Sequence, residues 1–177
     1  MRNLEAKFRL SDLDAARARA EAIGFALSST FLQRDTFFVV PSGKLKLREQ
    51  QGLAWLIHYH RGHSQRLEMS NYDIVPVPEP EATRAMLGAA LGTLAEVRKE
   101  RTLLMRRNIR LHLDCVDGLG DFGEIEAVLP AGEPAETYRD EVGAILDALG
   151  VDQAGLIDVS YFELMRSVRE RSSSGNR

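Results

Sequence analysis

The stretch Asn3-Leu4-Glu5-Ala6-Lys7-Phe8-Arg9-Leu10 alternates polar and apolar residues at every step. Successive side chains on a β-strand point to opposite faces. The stretch therefore predicts a strand with Asn3, Glu5, Lys7 and Arg9 on one face and Leu4, Ala6, Phe8 and Leu10 on the other. The pattern returns along the chain. Lys44, Lys46 and Arg48 share a parity, as do Val97, Lys99, Arg101 and Leu103. So do Arg110, His112 and Asp114, and then Glu124 and Glu126. Apolar residues fill most interleaved positions (Leu45, Leu47, Ile109, Leu111, Leu113, Ile125, Ala127), although Arg98 and Glu100 blur the strand around Lys99.

An antiparallel sheet with one wet face produces such alternation. Five or more such strands also can close into a barrel, which hides their edges. With helices over the apolar exterior, the charged faces then line the lumen. Burying many charges is costly unless opposite charges or bound ions compensate. A lumen mixing Glu, Asp, Lys and Arg suits a polyanion with a divalent metal, carboxylates holding Mg²⁺ or Mn²⁺ and the bases holding phosphate oxygens. The expected class is α+β, and alternation alone leaves two arrangements open: an open antiparallel sheet with one wet face, or a closed antiparallel β-barrel or tunnel with a polar, charged lumen and helices packed outside.

Between the strands, Ser11 is placed to cap a helix with the stripe Leu13, Ala16, Ala20 and Ile23, ended by Gly24. Strands are expected over 31–40, 44–49, 53–61 and 66–75, with turns at Pro41-Ser42-Gly43 and Gly62-His63-Ser64. Pro76, Pro78 and Pro80 bound a linker before a helix over 81–91. A second hairpin covers 95–105 and 108–114, followed by the Gly118-Leu119-Gly120-Asp121 loop and a strand over 122–129. Helices are expected over 136–149 and 161–168. Residues 1–168 read as one domain and the serine-rich, charged stretch 169–177 as a disordered tail. The halves flanking the linker share an order, charged-face strands and then a helix, too loosely for a sequence repeat.

The chain has 177 residues, 44% hydrophobic and 28% charged, which fits one soluble domain with a sizeable core. Its formal net charge of -3 provides no overall basic field for nucleic acid. Cys115 is the lone cysteine, so no intramolecular disulfide forms, in keeping with a reducing compartment. The N-terminal residues lack a signal-peptide pattern, and no run approaches membrane-spanning length. The expectation is a cytoplasmic protein that binds neither membrane nor nucleic acid.

Five blocks in order resemble the CYTH superfamily, which groups class IV adenylyl cyclases with thiamine triphosphatases and related tripolyphosphatases. They are Asn3-x-Glu5-x-Lys7 against the family's E-x-E-x-K strand, Leu45-Lys46-Leu47-Arg48-Glu49, Val97-x-Lys99-x-Arg101, Arg110-x-His112-Leu113-Asp114, and Gly118-Leu119-Gly120-Asp121-Phe122-Gly123-Glu124-Ile125-Glu126. The similarity runs from Met1 to about Met165. It implies the triphosphate tunnel fold, a closed antiparallel tunnel that binds a triphosphate inside and uses divalent metal. By the same resemblance Glu5, Glu124 and Glu126 are metal-site acids, with Asp114 close by. Lys7, Lys46, Arg48, Lys99, Arg101 and Arg110 contact phosphate oxygens, with Arg61 on the strand over 53–61 as a further candidate. Lys7, Lys99 and Arg101 are the implied catalytic residues. Asn3 departs from the pattern, placing an uncharged amide where the family has its first glutamate.

The resemblance leans toward class IV adenylyl cyclases through the Gly-Leu-Gly-Asp-Phe-x-Glu-Ile block and the Lys99-x-Arg101 strand. It implies that ATP is converted to cyclic AMP and pyrophosphate with Mg²⁺ or Mn²⁺. The alternative is a triphosphatase of the same fold acting on tripolyphosphate, a nucleotide or thiamine triphosphate, favoured by the Glu124-Ile125-Glu126 pair. A second alternative is a module that binds a nucleotide or polyphosphate without turnover. Family members often dimerise, so the resemblance allows a homodimer, although no interface stripe stands out. A zinc site at His58, His60 and His63 lacks the cysteine or glutamate partners of common zinc sites. Gly118-Leu119-Gly120 precedes a strand rather than a helix and so is no dinucleotide fingerprint.

Overall fold

The computed structural model describes residues 2–61, 68–130, 132–152 and 155–174. The turn expected at Gly62-His63-Ser64 and the start of the strand expected from Arg66 lie outside them. The described elements run β1 (Arg2–Arg9), α1 (Leu13–Ala22), β2 (Ala26–Phe38), β3 (Lys44–Gln50), β4 (Leu53–Arg61), β5 (Glu68–Pro76), α2 (Pro80–Leu91), β6 (Thr93–Arg106), β7 (Ile109–Val116), β8 (Gly120–Leu129), α3 (Glu136–Leu149), β9 (Leu156–Ile157) and α4 (Tyr161–Ser174). This is an α+β fold dominated by one antiparallel sheet.

The strand order is β5-β4-β3-β2-β6-β7-β8-β1-β9. One edge of β1 pairs with β8 along its whole length, from Arg2↔Leu129 to Arg9↔Phe122. The other edge is shared. Its first half pairs with β5 (Arg2↔Asn71 to Glu5↔Glu68), and its second half pairs with β9 through Lys7↔Ile157 and Phe8↔Leu156. The opening strand is thus hydrogen-bonded along both edges.

The apolar faces find cover as expected. Leu4, Ala6 and Phe8 of β1, with Leu111, Leu113, Ile125 and Ala127 of β7 and β8, pack against Ala16 and Ala20 of α1 and Val142, Ile145 and Leu149 of α3. Burying such side chains contributes on the order of 1.5–3 kcal/mol each before entropy is counted. Phe8 sets a local demand: a Cβ built on Gly123, its cross-strand partner, would lie 2.1 Å from the Phe8 ring. Glycine at 123 lets the ring lie across β8. A second outer cluster, Phe38, Leu47 and Ala54 with Leu87, seats α2 on β2 to β4. Glu49 pins that helix by accepting from Arg84 at 2.7 Å while Arg34 holds its other side at 2.6 Å.

Four expectations change. The cap of α1 is Asp12, whose carboxylate accepts from Ala15 N at 2.9 Å, rather than Ser11. Strand β2 begins at Ala26, ahead of the expected start at 31, because β6 offers it a partner as far as Ala26↔Met105. Helix α4 runs on to Ser174, through most of the stretch expected to be a disordered tail. Finally, not every helix packs outside. The first turn of α4 lies on the inner, charged face, where Tyr161 and Phe162 join Phe37, Tyr59, Val97, Val116 and Phe122. The charged faces carry apolar residues at their ends, and those residues need a cover that the outer helices cannot supply.

Candidate active site

The same parity that sends Leu4, Ala6 and Phe8 outward sends Asn3, Glu5 and Lys7 into a cavity of about 210 Å³. Around it stand Lys46 and Arg48 from β3, Lys99 and Arg101 from β6, Arg110 from β7, and Glu124 and Glu126 from β8, with Asp35 from β2. Ile57, Tyr59, Tyr72, Ile74, Val97 and Phe37 complete the wall, and Ser160 and Tyr161 reach it from the start of α4. The metal-site glutamates and the phosphate-binding bases expected to act together therefore meet at one place, Arg61 and Asp114 excepted. Arg61 ends β4 opposite Ser70, and its side chain lies outside the described residues.

Asp114 does not line the cavity. It is fully buried and accepts from Lys99 Nζ at 2.8 Å, Arg101 Nε at 2.6 Å, Arg101 Nη2 at 2.7 Å and the Tyr161 hydroxyl at 2.9 Å. These donors occupy both carboxylate oxygens. In this structure Asp114, expected close to the metal site, is a counter-ion beneath the basic wall, set behind the cavity that the glutamates line.

The acids gather instead around β8. One ligand atom each from His112, Glu124 and Glu126 lie within 4.8 Å of one another. His112 Nδ1 is 3.8 Å from both glutamates. Glu5 faces Glu126 directly across the β1–β8 ladder. Like charges directly opposite each other are unfavourable unless a cation sits between them. Asn3 Oδ1 and His112 Nδ1 are buried polar atoms with no hydrogen-bond partner among the described residues. His112, Glu124 and Glu126 thus form a donor set that fits a divalent cation of Mg²⁺ or Mn²⁺ type, the nitrogen favouring Mn²⁺, and Glu5 and Asn3 line the cavity beside the two glutamates.

Burial, and then Arg101, pushes His112 below its ordinary value, so the imidazole is neutral and able to ligate. Burial opposes the charge on Glu124, but Lys7 and Arg101 hold its carboxyl well below the usual range. Among the bases, burial and the adjacent Arg48 lower Lys46 to about 7. Burial and Arg101 lower Lys99 to about 8, despite its ion pair with Asp114. Such crowding of cations is what an incoming polyanion would relieve. Lys7 and Lys99 sit 4.2 and 4.8 Å from the Tyr161 ring centroid, so that ring buttresses two of the bases.

Two members of the site, Asp35 and Tyr161, go unmarked by the sequence pattern. Asp35 shares its parity with Gln33 and Phe37, so no charged alternation singles it out. The candidate His58 and His60 lie on the opposite face of β4 from Ile57 and Tyr59, stacked edge-on at 4.9 Å, with His58 Nε2 3.1 Å from Ser42 O. His63 lies outside the described residues, and Cys115 is exposed.

A family model described as the CYTH domain matches residues 1–161. A protein of Methanocaldococcus jannaschii named "Putative adenylate cyclase MJ0240" is 22% identical over 173 residues, covering 93% of this chain and 98% of that one. The PH1012 protein of Pyrococcus horikoshii superposes with a TM-score of 0.83 at 21% identity, covering 92% of this chain and 98% of that one. A Hippeastrum protein described as a "putative adenylyl cyclase" with "a dominant triphophatase activity" superposes at 0.65 with 20% identity, covering 94% and 96%. At these identities the structural likenesses establish the fold.

Proposed function

Because this chain belongs to the CYTH domain family, we propose that its charged cavity is the active site of a metal-dependent enzyme acting on a triphosphate, in the manner of a class IV adenylyl cyclase. One observation carries the reading. Lys7, Lys46, Arg48, Lys99, Arg101 and Arg110 converge on the cavity that also holds Glu5, Glu124 and Glu126. Bases and acids in this proportion match a phosphate chain accompanied by a divalent cation. The sheet acts as a closed tunnel around them, a reading supported by the pairing of β5 with β1.

Bound beside Glu5, Glu124, Glu126 and His112, Mg²⁺ or Mn²⁺ would polarise a phosphoryl oxygen and acidify the attacking hydroxyl. Lys99 and Arg101, fixed by Asp114, neutralise charge that develops on the phosphoryl oxygens, and Lys7 does so from the facing strand. Lys46, Arg48 and Arg110 orient the phosphate chain and stabilise the pyrophosphate that leaves. Tyr59, Tyr72, Ile57 and Ile74 offer an apolar wall to a nucleobase, which favours ATP over an inorganic chain. The enclosed volume of about 210 Å³ lies below the roughly 300–1,000 Å³ of pockets that engulf drug-sized ligands. It matches the phosphates, with the nucleoside at the mouth. The acid pair on β8 and the Hippeastrum neighbour support a second reading, hydrolysis of the terminal phosphate.

Incubating the protein with Mn²⁺ and either ATP or tripolyphosphate separates the readings. Cyclic AMP with pyrophosphate is the expected result. Orthophosphate accompanied by ADP from ATP, or by pyrophosphate from tripolyphosphate, supports the triphosphatase, and absence of any product would contradict both. The same preparation tests Asn3. If its unpartnered amide oxygen is a weak ligand, Asn3→Glu adds the missing charge and tightens Mn²⁺ binding by about tenfold or more. Unchanged Mn²⁺ affinity in that variant removes Asn3 from the metal site.

A further inference from the structure

Two features of the inner face match atom for atom. On β3, Lys46 and Arg48 are clamped by Asp35 of β2; on β6, Lys99 and Arg101 are clamped by Asp114 of β7. In each case the aspartate stands directly opposite the arginine in the ladder, Asp35↔Arg48 and Arg101↔Asp114. In each case Oδ1 accepts from arginine Nε, at 2.8 and 2.6 Å, and Oδ2 accepts from arginine Nη2, at 2.7 Å in both. In each case Oδ2 also accepts from the lysine Nζ, at 3.1 and 2.8 Å. The strands lie side by side in the order β3-β2-β6-β7, with the two basic strands flanking or facing the two acidic ones.

We propose that Asp35 and Asp114 are paired positioning residues, each presenting a Lys-x-Arg strand as a preformed cation fork, and that the two forks divide the work. The Asp35 fork is the open one: the Lys46 and Arg48 side chains are 14% and 22% exposed. It receives the phosphate chain. The Asp114 fork is sealed, with Lys99 and Arg101 only 3% and 4% exposed. The Tyr161 hydroxyl closes it from one side and Glu124 takes Arg101 Nη2 at 2.9 Å from the other. It holds fixed charge at the metal-side wall. This inference rests on the reading that the cavity takes a polyphosphate.

An acid in an anion site is counterproductive by charge alone, and removing Asp35 should then tighten anion binding. The clamp predicts the opposite. Lys46 is faced by Asp35 on β2, Arg48 on its own strand, Lys99 on β6, and the rings of Tyr59 on β4 and Phe37 on β2. Asp35 is the acid among them. Without it, desolvation and the two cations strip the proton from Lys46, and Arg48 loses the partner that aims its guanidinium.

The test is isothermal titration of tripolyphosphate, from pH 6 to 9, into the parent and Asp35→Asn. The ligand's own ionisation is common to both. In the parent, binding restores the proton to Lys46, so affinity declines as pH rises above about 7. In Asp35→Asn the decline moves to lower pH, and affinity at pH 8 falls about tenfold or more, the loss expected for one charge-assisted contact. Equal or tighter binding with an unshifted profile overturns the clamp alone. No binding by the parent overturns the polyphosphate reading and the clamp with it. Should Asp35→Asn not fold, Lys46→Arg replaces it. That variant keeps its charge at every pH and should lose the part of the decline that sets in near 7, keeping only what Lys99 adds near 8; a decline matching the parent's overturns the proposal.

Discussion

Replacing Asp114 by alanine should destabilise the protein by about 3–5 kcal/mol, the usual cost of removing one partner from a buried ion pair. For a chain of this length that corresponds to a fall in Tm of roughly 6–20 °C. Asp114 is wholly buried and accepts from Lys99, Arg101 and Tyr161. Its loss would leave two cations facing each other with Glu124 as their nearest remaining acid, and would strand the Tyr161 hydroxyl. Denaturant unfolding monitored by far-UV circular dichroism checks this. A loss below about 1 kcal/mol, the range of an exposed pair, would show that the fork does not depend on Asp114.

The second large effect falls on turnover. Glu124→Gln keeps the shape of the side chain and removes the charge that faces His112, Glu126 and Lys7. Metal-dependent turnover should drop at least about 100-fold, with a matching loss of Mn²⁺ affinity, since the proposed function makes this acid a ligand rather than the support of one. The variant should remain folded. An amide oxygen at this position can still accept from Arg101 Nη2, which sits 2.9 Å from Glu124 Oε2 in the parent. Turnover and Mn²⁺ affinity close to those of the parent would take Glu124 out of the metal site.

Alternation makes much of this architecture legible. A side chain's face follows from parity alone, and parity groups Glu5, Lys7, Lys46, Arg48, Lys99, Arg101, Arg110, Glu124 and Glu126 as the structure does. Parity does not reveal what stands opposite. Whether Asp114 touches a metal or an arginine depends on the β6–β7 register, which sets Arg101 against it. Asp35 is hidden for the same reason, because its partner Arg48 lies on the next strand. The two clamps also escape notice as a repeat because the acid strand precedes the basic one in the first and follows it in the second. Helix α4 is legible as a helix. Its place on the inner face is not, yet Phe37, Val97 and Phe122 share parity with charged or polar neighbours and mark where an apolar cover must sit. The cap of α1 is a near tie, since Ser11 and Asp12 both suit an N-cap and local geometry selects the aspartate.

Binding of a phosphate chain together with a divalent cation on the inner face is the property on which the rest depends. Titrating tripolyphosphate into the protein with Mn²⁺ present, by calorimetry at two salt concentrations, tests it most directly. The expected result is saturable binding of one tripolyphosphate per chain that weakens as salt rises and weakens further when Mn²⁺ is withheld. Absence of saturable binding, or binding indifferent to Mn²⁺, would contradict it.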